Sequence, residues 1–188
     1  GNHDNFTKCL QVNHVEVNGK TLGIIGGGNI GLEVAKVANA LGMKILIHTR
    51  TPKENEENLT YTSLEEVLKN SDYVSLHCPL NEKTKHIINA ETLSLMKPTA
   101  FLINTARGAL IDEPALIEAL KKGTIAGAGL DVQETEPPVE DNPLYTMENV
   151  ILTPHMGWKG LETRQRLVSI LADNVQSYIK GNPINVVC

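Results

Sequence analysis

Cysteine is scarce in this chain: three residues in 188, Cys9, Cys78 and Cys188, odd in number and far apart. That excludes a disulfide framework, and the spacing matches no zinc site, so no metal is expected. No apolar run approaches the ~20 residues that cross a bilayer, and the opening residues carry no signal-peptide pattern. Lys and Arg total 17 against 22 Asp and Glu, a formal charge of −5, and the basic residues are scattered. Nothing here forms an electrostatic footprint for nucleic acid. The odd, widely spaced cysteines point to a reducing cytoplasm, and with no membrane or nucleic-acid partner expected, a small-molecule substrate is the expectation.

What is present is the composition of a soluble globular protein, 41% hydrophobic and 21% charged. The length suits one ordinary domain able to bury roughly 70% of its unfolded surface. The chain opens without methionine on a polar stretch, GNHDNFTK, that cannot begin a core. A fragment or an excised domain is the expectation.

Short apolar runs alternate with amphipathic segments. Strands are predicted at Thr21–Ile25, Lys44–His48, Tyr73–Leu76, residues 100–104 (AFLIN), residues 124–130 and Val150–Leu152. Between the first two, Ile30, Val34, Val37, Ala38 and Leu41 recur at helical spacing, with Gly42 as the stop. Ser63 with Glu66 makes a capping box for a helix through Lys69. Residues 112–121 form a helix with an acidic start, Pro114 in its first turn and Gly123 beyond it. A long final helix occupies Leu161–Ile179, while residues 51–60 and the Pro137-Pro138 region read as loops. Six mostly apolar strands interleaved with helices indicate an α/β fold, a doubly wound parallel sheet covered on both faces.

The segment LGIIGGGNIG fits G-x-G-x-x-G at Gly26, Gly28 and Gly31. Alone such a motif is weak, and a purely structural turn would also explain it. Here it follows a strand and opens a helix within a βαβ unit, the context of a dinucleotide site. Gly26 permits the tight turn, Gly28 lets backbone approach a pyrophosphate, and Gly31 lets helix and strand pack closely. The helix N-terminus adds free N–H groups and a positive dipole end. In NAD-specific sites an acidic residue ends the second strand and binds the ribose 2′-hydroxyl. This strand ends His48-Thr49-Arg50-Thr51, with no carboxylate. Arg50 flanked by hydroxyls suits a 2′-phosphate, so NADP(H) is favoured. The alternative leaves Arg50 as a solvated surface residue and NAD(H) bound without an acidic partner.

Ligands in such folds bind beyond the carboxyl ends of the strands. Three strand ends there carry ionisable groups: Asn104-Thr105-Ala106-Arg107, Asp131 to Glu136, and Thr153-Pro154-His155. An Arg, an acid and a His around a nicotinamide suit the interconversion of a carbonyl and an alcohol. His155 can supply the proton that the alkoxide needs, and Glu136 or Asp131 beside it would stabilise the imidazolium. Arg107 can fork onto a substrate carboxylate and polarise the neighbouring carbonyl. Singly, each has a bland reading: a surface ion pair, a solvated glutamate, a histidine bonded to a loop carbonyl.

With GKTLGIIGGGNIG, HCPL at 77–80, INTARGALID at 103–112, GAGLDVQETEPP at 127–138 and ILTPHMGW at 151–158 in order, the sequence resembles the D-isomer-specific 2-hydroxyacid dehydrogenase family over nearly its whole length. Within it, DNPL at 141–144 and PHMGW followed by ETRQRL look most like glycerate dehydrogenases, also called hydroxypyruvate reductases. The resemblance implies a Rossmann-type NAD(P)-binding domain with Arg107 holding substrate and His155–Glu136 as the proton-transfer pair. It implies Asn29 and Ile30 at the pyrophosphate and Thr49 and Arg50 near the adenine ribose. Cys78 and Pro79, Thr105 through Arg107, Asp131 (towards the nicotinamide amide), and the turn holding His155, Gly157 and Trp158 complete the implied pocket.

Three residues depart from the family. Asn29 replaces a common arginine, Gln133 stands where Phe is frequent, and Thr49 stands where NAD-dependent members have Asp. Family members are also considerably longer. The whole of 1–188 therefore reads as the dinucleotide-binding domain, with 1–19 as lead-in and 158–188 as C-terminal helix and crossover; a substrate domain is expected to be missing. Such a piece should bind cofactor yet be nearly inactive. Homodimerisation through residues 81–97 and 134–147 is the expected assembly. A non-catalytic dinucleotide-sensing regulator on the same fold is the competing reading, against which the intact Arg–Glu–His set argues.

Overall fold

Seven short segments become the strands of one sheet: β1 (Thr21–Ile25), β2 (Lys44–His48), β3 (Leu59–Tyr61), β4 (Tyr73–Leu76), β5 (Phe101–Asn104), β6 (Gly127–Leu130) and β7 (Val150–Leu152). In the computed structural model, which describes residues 15–187, every pairing is parallel and the order is β3-β2-β1-β4-β5-β6-β7. The described residues up to Leu152 form one compact unit and those from Thr153 a second.

The seventh strand, β3, corrects the sequence reading, which takes residues 51–60 as loop and counts six strands. Leu59-Thr60-Tyr61 offers no unbroken apolar run of the kind that marks Val150–Leu152. Leu59 and Tyr61 become strand because they pair with Ile45 and Ile47 of β2. β5 and β6 also start later than expected. Ala100 and Ile125 ahead of them are fully buried, so their apolar character serves packing and not the ladder.

Strand alternation builds two cores. On one face Leu22, Ile24, Ile45 and Ile47 meet Ala35 and Ala38 of helix α1 (Asn29–Ala40). On the other, Ile25, Val74, Leu76 and Leu102 meet helices α2 (Leu64–Asn70), α3 (Ala90–Ser94) and α4 (Glu113–Lys122) through Val67, Leu68, Leu93, Leu116 and Leu120. Ile24 and Ile25, neighbours in sequence, are thus both buried on opposite faces, as an unbroken apolar strand requires.

α1 forms where helical spacing places it, but with a different face inward. Gly31, Ala35 and Ala38 are its buried residues, whereas Ile30, Val37 and Leu41 are exposed. A Cβ at Gly31 would collide with the carbonyl oxygen of Gly26. The helix lies so close to the sheet that small residues line its centre, with Leu32 and Val34 packing at its flanks and Ile30, Val37 and Leu41 left outside.

Helix ends follow their capping residues. Ser63 Oγ accepts the Glu66 N–H at 3.2 Å, but the Glu66 carboxylate accepts from Asn70 Nδ2 at 2.9 Å instead of closing the expected box. α3 is not predicted by the sequence reading. Its cap is reciprocal: Asn89 accepts from the Thr92 N–H at 3.1 Å, and Thr92 Oγ1 accepts from the Asn89 N–H at 2.7 Å. Asp112 caps α4 through the Ala115 N–H at 3.2 Å, and Gly123 ends it at φ 67.

The second unit holds helix α5 (Leu161–Ile179), with the Arg164 guanidinium 5.6 Å from the Trp158 ring centre. Among the described residues no helix is long and apolar enough to cross a membrane.

Candidate functional site

The strand order reverses direction at β1, whose neighbours β2 and β4 are reached by chain running opposite ways. A parallel sheet leaves a crevice at that point, beyond the carboxyl ends of its strands. The glycine segment occupies it. Gly26 has φ 113, a region that side chains rarely enter, and a Cβ there would meet the His77 carbonyl carbon at 2.5 Å and the Cys78 nitrogen. The turn after β1 is therefore pressed onto the exit of β4.

Gly28 has the opposite surroundings. A Cβ there would find no heavy atom within 4 Å, and no side chain caps α1. An uncapped 12-residue helix leaves first-turn N–H groups and a positive dipole end facing open space. That is the shape and charge a pyrophosphate requires, so the residues fit a dinucleotide. Asn29 and Ile30, both exposed, form the rim in the helix's first turn. A Cβ at Gly27 would lie 3.3 Å from Thr49 Cβ, which puts the exit of β2 directly against the glycine loop. Thr49 is half-buried and Arg50 exposed beside it.

Across the crevice, burial depresses the His77 imidazole below its ordinary value, and Ser75 Oγ lies 2.9 Å from its Nε2. Burial pushes the Cys78 thiol up, which makes it a packed neutral thiol and not a nucleophile. Pro79 is exposed just beyond.

At the exit of β5, Asn104 is fully buried and shapes the loop after it. Its Oδ1 accepts from the Ala106 N–H at 3.0 Å and its Nδ2 donates to the Arg107 carbonyl at 2.9 Å. Thr105 and Arg107 are exposed, and Arg107 Nη1 donates to the Ala106 carbonyl at 2.6 Å. The Asp131 N–H donates to the Asn104 carbonyl at 2.9 Å, and Asp131 itself is buried at the exit of β6. Glu136 follows in an exposed loop, its Oε1 accepting from the Gln133 N–H at 3.1 Å. The two loops touch at Gly108, where a Cβ would collide with the Gln133 carbonyl group. The structure thus brings the Arg107 and Glu136 loops together within the first unit.

His155, Gly157 and Trp158 belong to the second unit. His155 has φ 48, uncommon for a residue with a Cβ. Its N–H donates to the Thr153 carbonyl at 3.0 Å across Pro154. Among the described residues no cluster of three or more His, Cys, Asp or Glu could hold a metal ion.

The model of the D-isomer specific 2-hydroxyacid dehydrogenase NAD binding domain matches residues 2–157. This chain belongs to that family. The domain is 45% identical over 175 residues to a hydroxypyruvate reductase of Blautia hydrogenotrophica, covering 92% of this chain and 54% of that protein. It is 46% identical over 177 residues to a glyoxylate reductase of Aeropyrum pernix, covering 92% and 53%. Among solved structures it is similar to the acyclic imino acid reductase Bsp5 in complex with NADPH and D-Arg, at a TM-score of 0.84 and 40% identity, covering 98% of this chain and 61% of that one. The chain spans about half the length of the curated relatives it matches. What it comprises is the nicotinamide-dinucleotide-binding domain of a 2-hydroxyacid dehydrogenase.

Three polar residues of this dehydrogenase domain escape the sequence reading as site residues: Asn104, Glu113 and Asn142. The available signal is a polar residue closing an apolar strand in FLIN, and an Asn ahead of Pro-Leu in DNPL. Neither says that the side chain turns inward to bond backbone.

Proposed function

We propose that this chain is the cofactor domain of an NADP(H)-preferring dehydrogenase that interconverts a 2-hydroxy acid and its 2-keto acid, such as glycerate and hydroxypyruvate, or that reduces glyoxylate. The observation that carries the reading is the crevice itself: an uncapped helix N-terminus over an open Gly28, with Thr49 against the glycine loop. The nicotinamide, when bound, supplies or accepts the hydride at the substrate's carbonyl carbon. The protein's residues do the rest. Asn29 and Ile30 offer backbone N–H groups to the pyrophosphate, while Thr49 and Arg50 take the 2′-phosphate. Cys78, Pro79, Thr105 and Ala106 complete the cofactor pocket, and Asp131 orients the nicotinamide amide. Arg107 lies against cofactor and substrate, its guanidinium forking onto the substrate carboxylate. His155 moves the proton at the hydroxyl oxygen, with Glu136 stabilising its imidazolium; Gly157 and Trp158 close the turn behind it.

The preference for the 2′-phosphate rests on the absence of a carboxylate at Thr49-Arg50. One similar solved structure is described in complex with NADPH and two others with NAD, and these together with the family's description as NAD binding accord with a nicotinamide cofactor. Fluorescence titration of this domain with NADPH and NADH tests the choice: NADPH should bind at least tenfold tighter, roughly the discrimination one charge-assisted contact gives. Equal or tighter NADH binding overturns it. Pairing of two copies through residues 81–97 and 134–147 is part of the proposal.

A further inference from the structure

Glu136 sits in the long connection between β6 and β7, which contains no α-helix and no strand. A carboxylate that must meet a proton-transfer histidine needs a fixed position, yet this loop has little regular structure to hold it. What holds it is a neighbouring carboxylate. Glu113, in the first turn of α4, accepts from the Glu134 N–H at 3.3 Å through Oε2 and from Asn142 Nδ2 at 2.8 Å through Oε1. One residue thus grips the loop on both sides of Glu136.

Asn142 completes the grip. It is 5% exposed, and its Oδ1 accepts from the Leu144 N–H at 3.0 Å. Its Nδ2 also lies 3.4 Å from Gln133 Oε1, and the Gln133 N–H in turn donates to the Glu136 carboxylate at 3.1 Å. A second anchor, His86 Nε2 to Glu134 Oε1 at 2.8 Å, ties the same strip to the segment before α3. A chain of bonds therefore runs from the rigid start of α4 to the Glu136 carboxylate.

We propose, resting on the function above, that Glu113 and Asn142 are positioning residues: together they clamp the loop so that the Glu136 carboxylate is held in place for proton transfer. Neither touches substrate or cofactor in this role. The geometry selects Glu113 in particular, because its two carboxylate oxygens are spread so that each meets one of the two donors. The substitution Glu113→Gln leaves a single acceptor oxygen and keeps half of the clamp.

The test uses the complete dehydrogenase, assayed for NADPH-dependent reduction of hydroxypyruvate. Glu113→Ala and Asn142→Ala should each lower kcat roughly 10- to 100-fold, the scale of a displaced catalytic group. The dissociation constant for NADPH should stay within twofold, about the precision at which a remote site is unaffected. Glu113→Gln should fall between Ala and wild type. The decisive readout is the alkaline limb of kcat/KM. A displaced Glu136 no longer stabilises the protonated histidine, so the limb should move to lower pH in both variants and in Glu136→Gln. Adding Glu113→Ala to Glu136→Gln should then cost nothing further.

Wild-type kcat with an unmoved limb in the Ala variants overturns the clamp. So does a drop in kcat, NADPH affinity and Tm together with the limb in place, which marks a merely structural residue. If an Ala variant fails to fold, Glu113→Gln and Asn142→Ser are read by the same criteria. Failure of the wild-type enzyme to reduce any 2-keto acid with NADPH or NADH instead overturns the function on which the clamp rests.

Discussion

Gly26 and Arg50 show how much a single position can decide. At φ 113, with His77 and Cys78 backbone where a side chain would begin, Gly26 tolerates no substitution. Gly26→Ala should cost roughly 3 kcal/mol in urea unfolding, the upper range for enforced backbone strain, and NADPH binding should be lost. Arg50 is exposed and supports nothing in the fold, so its removal should be silent in stability. Arg50→Gln should weaken NADPH about tenfold or more, the value of a charge-assisted bond to phosphate, and leave NADH unchanged. Parallel losses for both cofactors would show that Arg50 does not read the 2′-phosphate. Gly26 was legible because its chemistry is local: a glycine and its spacing from a strand are visible in a string of letters. Asn104 and Asn142 were not, since an asparagine reads alike whether it faces water or, as here, bonds loop backbone from inside.

Elements were legible where an apolar run marks a strand or a helical period extends over many residues. β1, β2, β4, β7 and α5 run between the residues the sequence predicts. β3 is strand only because β2 offers its edge, and α3 is too short, at five residues, to show a period. One contact joins several elements at the amino ends of the strands, opposite the end that carries the site. Asp72, ahead of β4, accepts from the Thr21 N–H of β1 at 2.9 Å and from Lys97 Nζ at 2.9 Å. Burial opposes ionisation of this carboxyl, but the Thr21 N–H and the Lys97 ammonium outweigh it and hold it below its ordinary range. A depressed carboxyl stabilises the fold fully above its unfolded value of about 3.9 and loses that contribution as pH falls through the folded value. Asp72→Asn should therefore lower stability by about 1 kcal/mol at neutral pH, the size expected of a partly exposed pair. The deficit should shrink as pH falls through the lowered folded value, because the wild-type carboxyl is then protonated as well. Denaturation curves at neutral pH and across the acid range check it.

At the scale of the whole molecule, water access and substrate orientation set the expected rate. Proton transfer and hydride transfer proceed well only where water is excluded and substrate is oriented. Arg107 and Glu136 are exposed, and the chain spans about half of its curated relatives. The 188-residue chain should bind NADPH and reduce hydroxypyruvate at least about a hundredfold more slowly than the complete enzyme, the scale attached to lost orientation. Comparable turnover numbers in a side-by-side assay would show that this half suffices. By itself the sequence determined the parallel α/β plan and the glycine loop between β1 and α1, because strand period and glycine spacing are local. Only the tertiary structure decided that β3 joins the sheet, that α1 turns its small residues inward, and that Glu113 and Asn142 grip the Glu136 loop. Each of those depends on how close two distant segments come, and sequence spacing does not encode that distance.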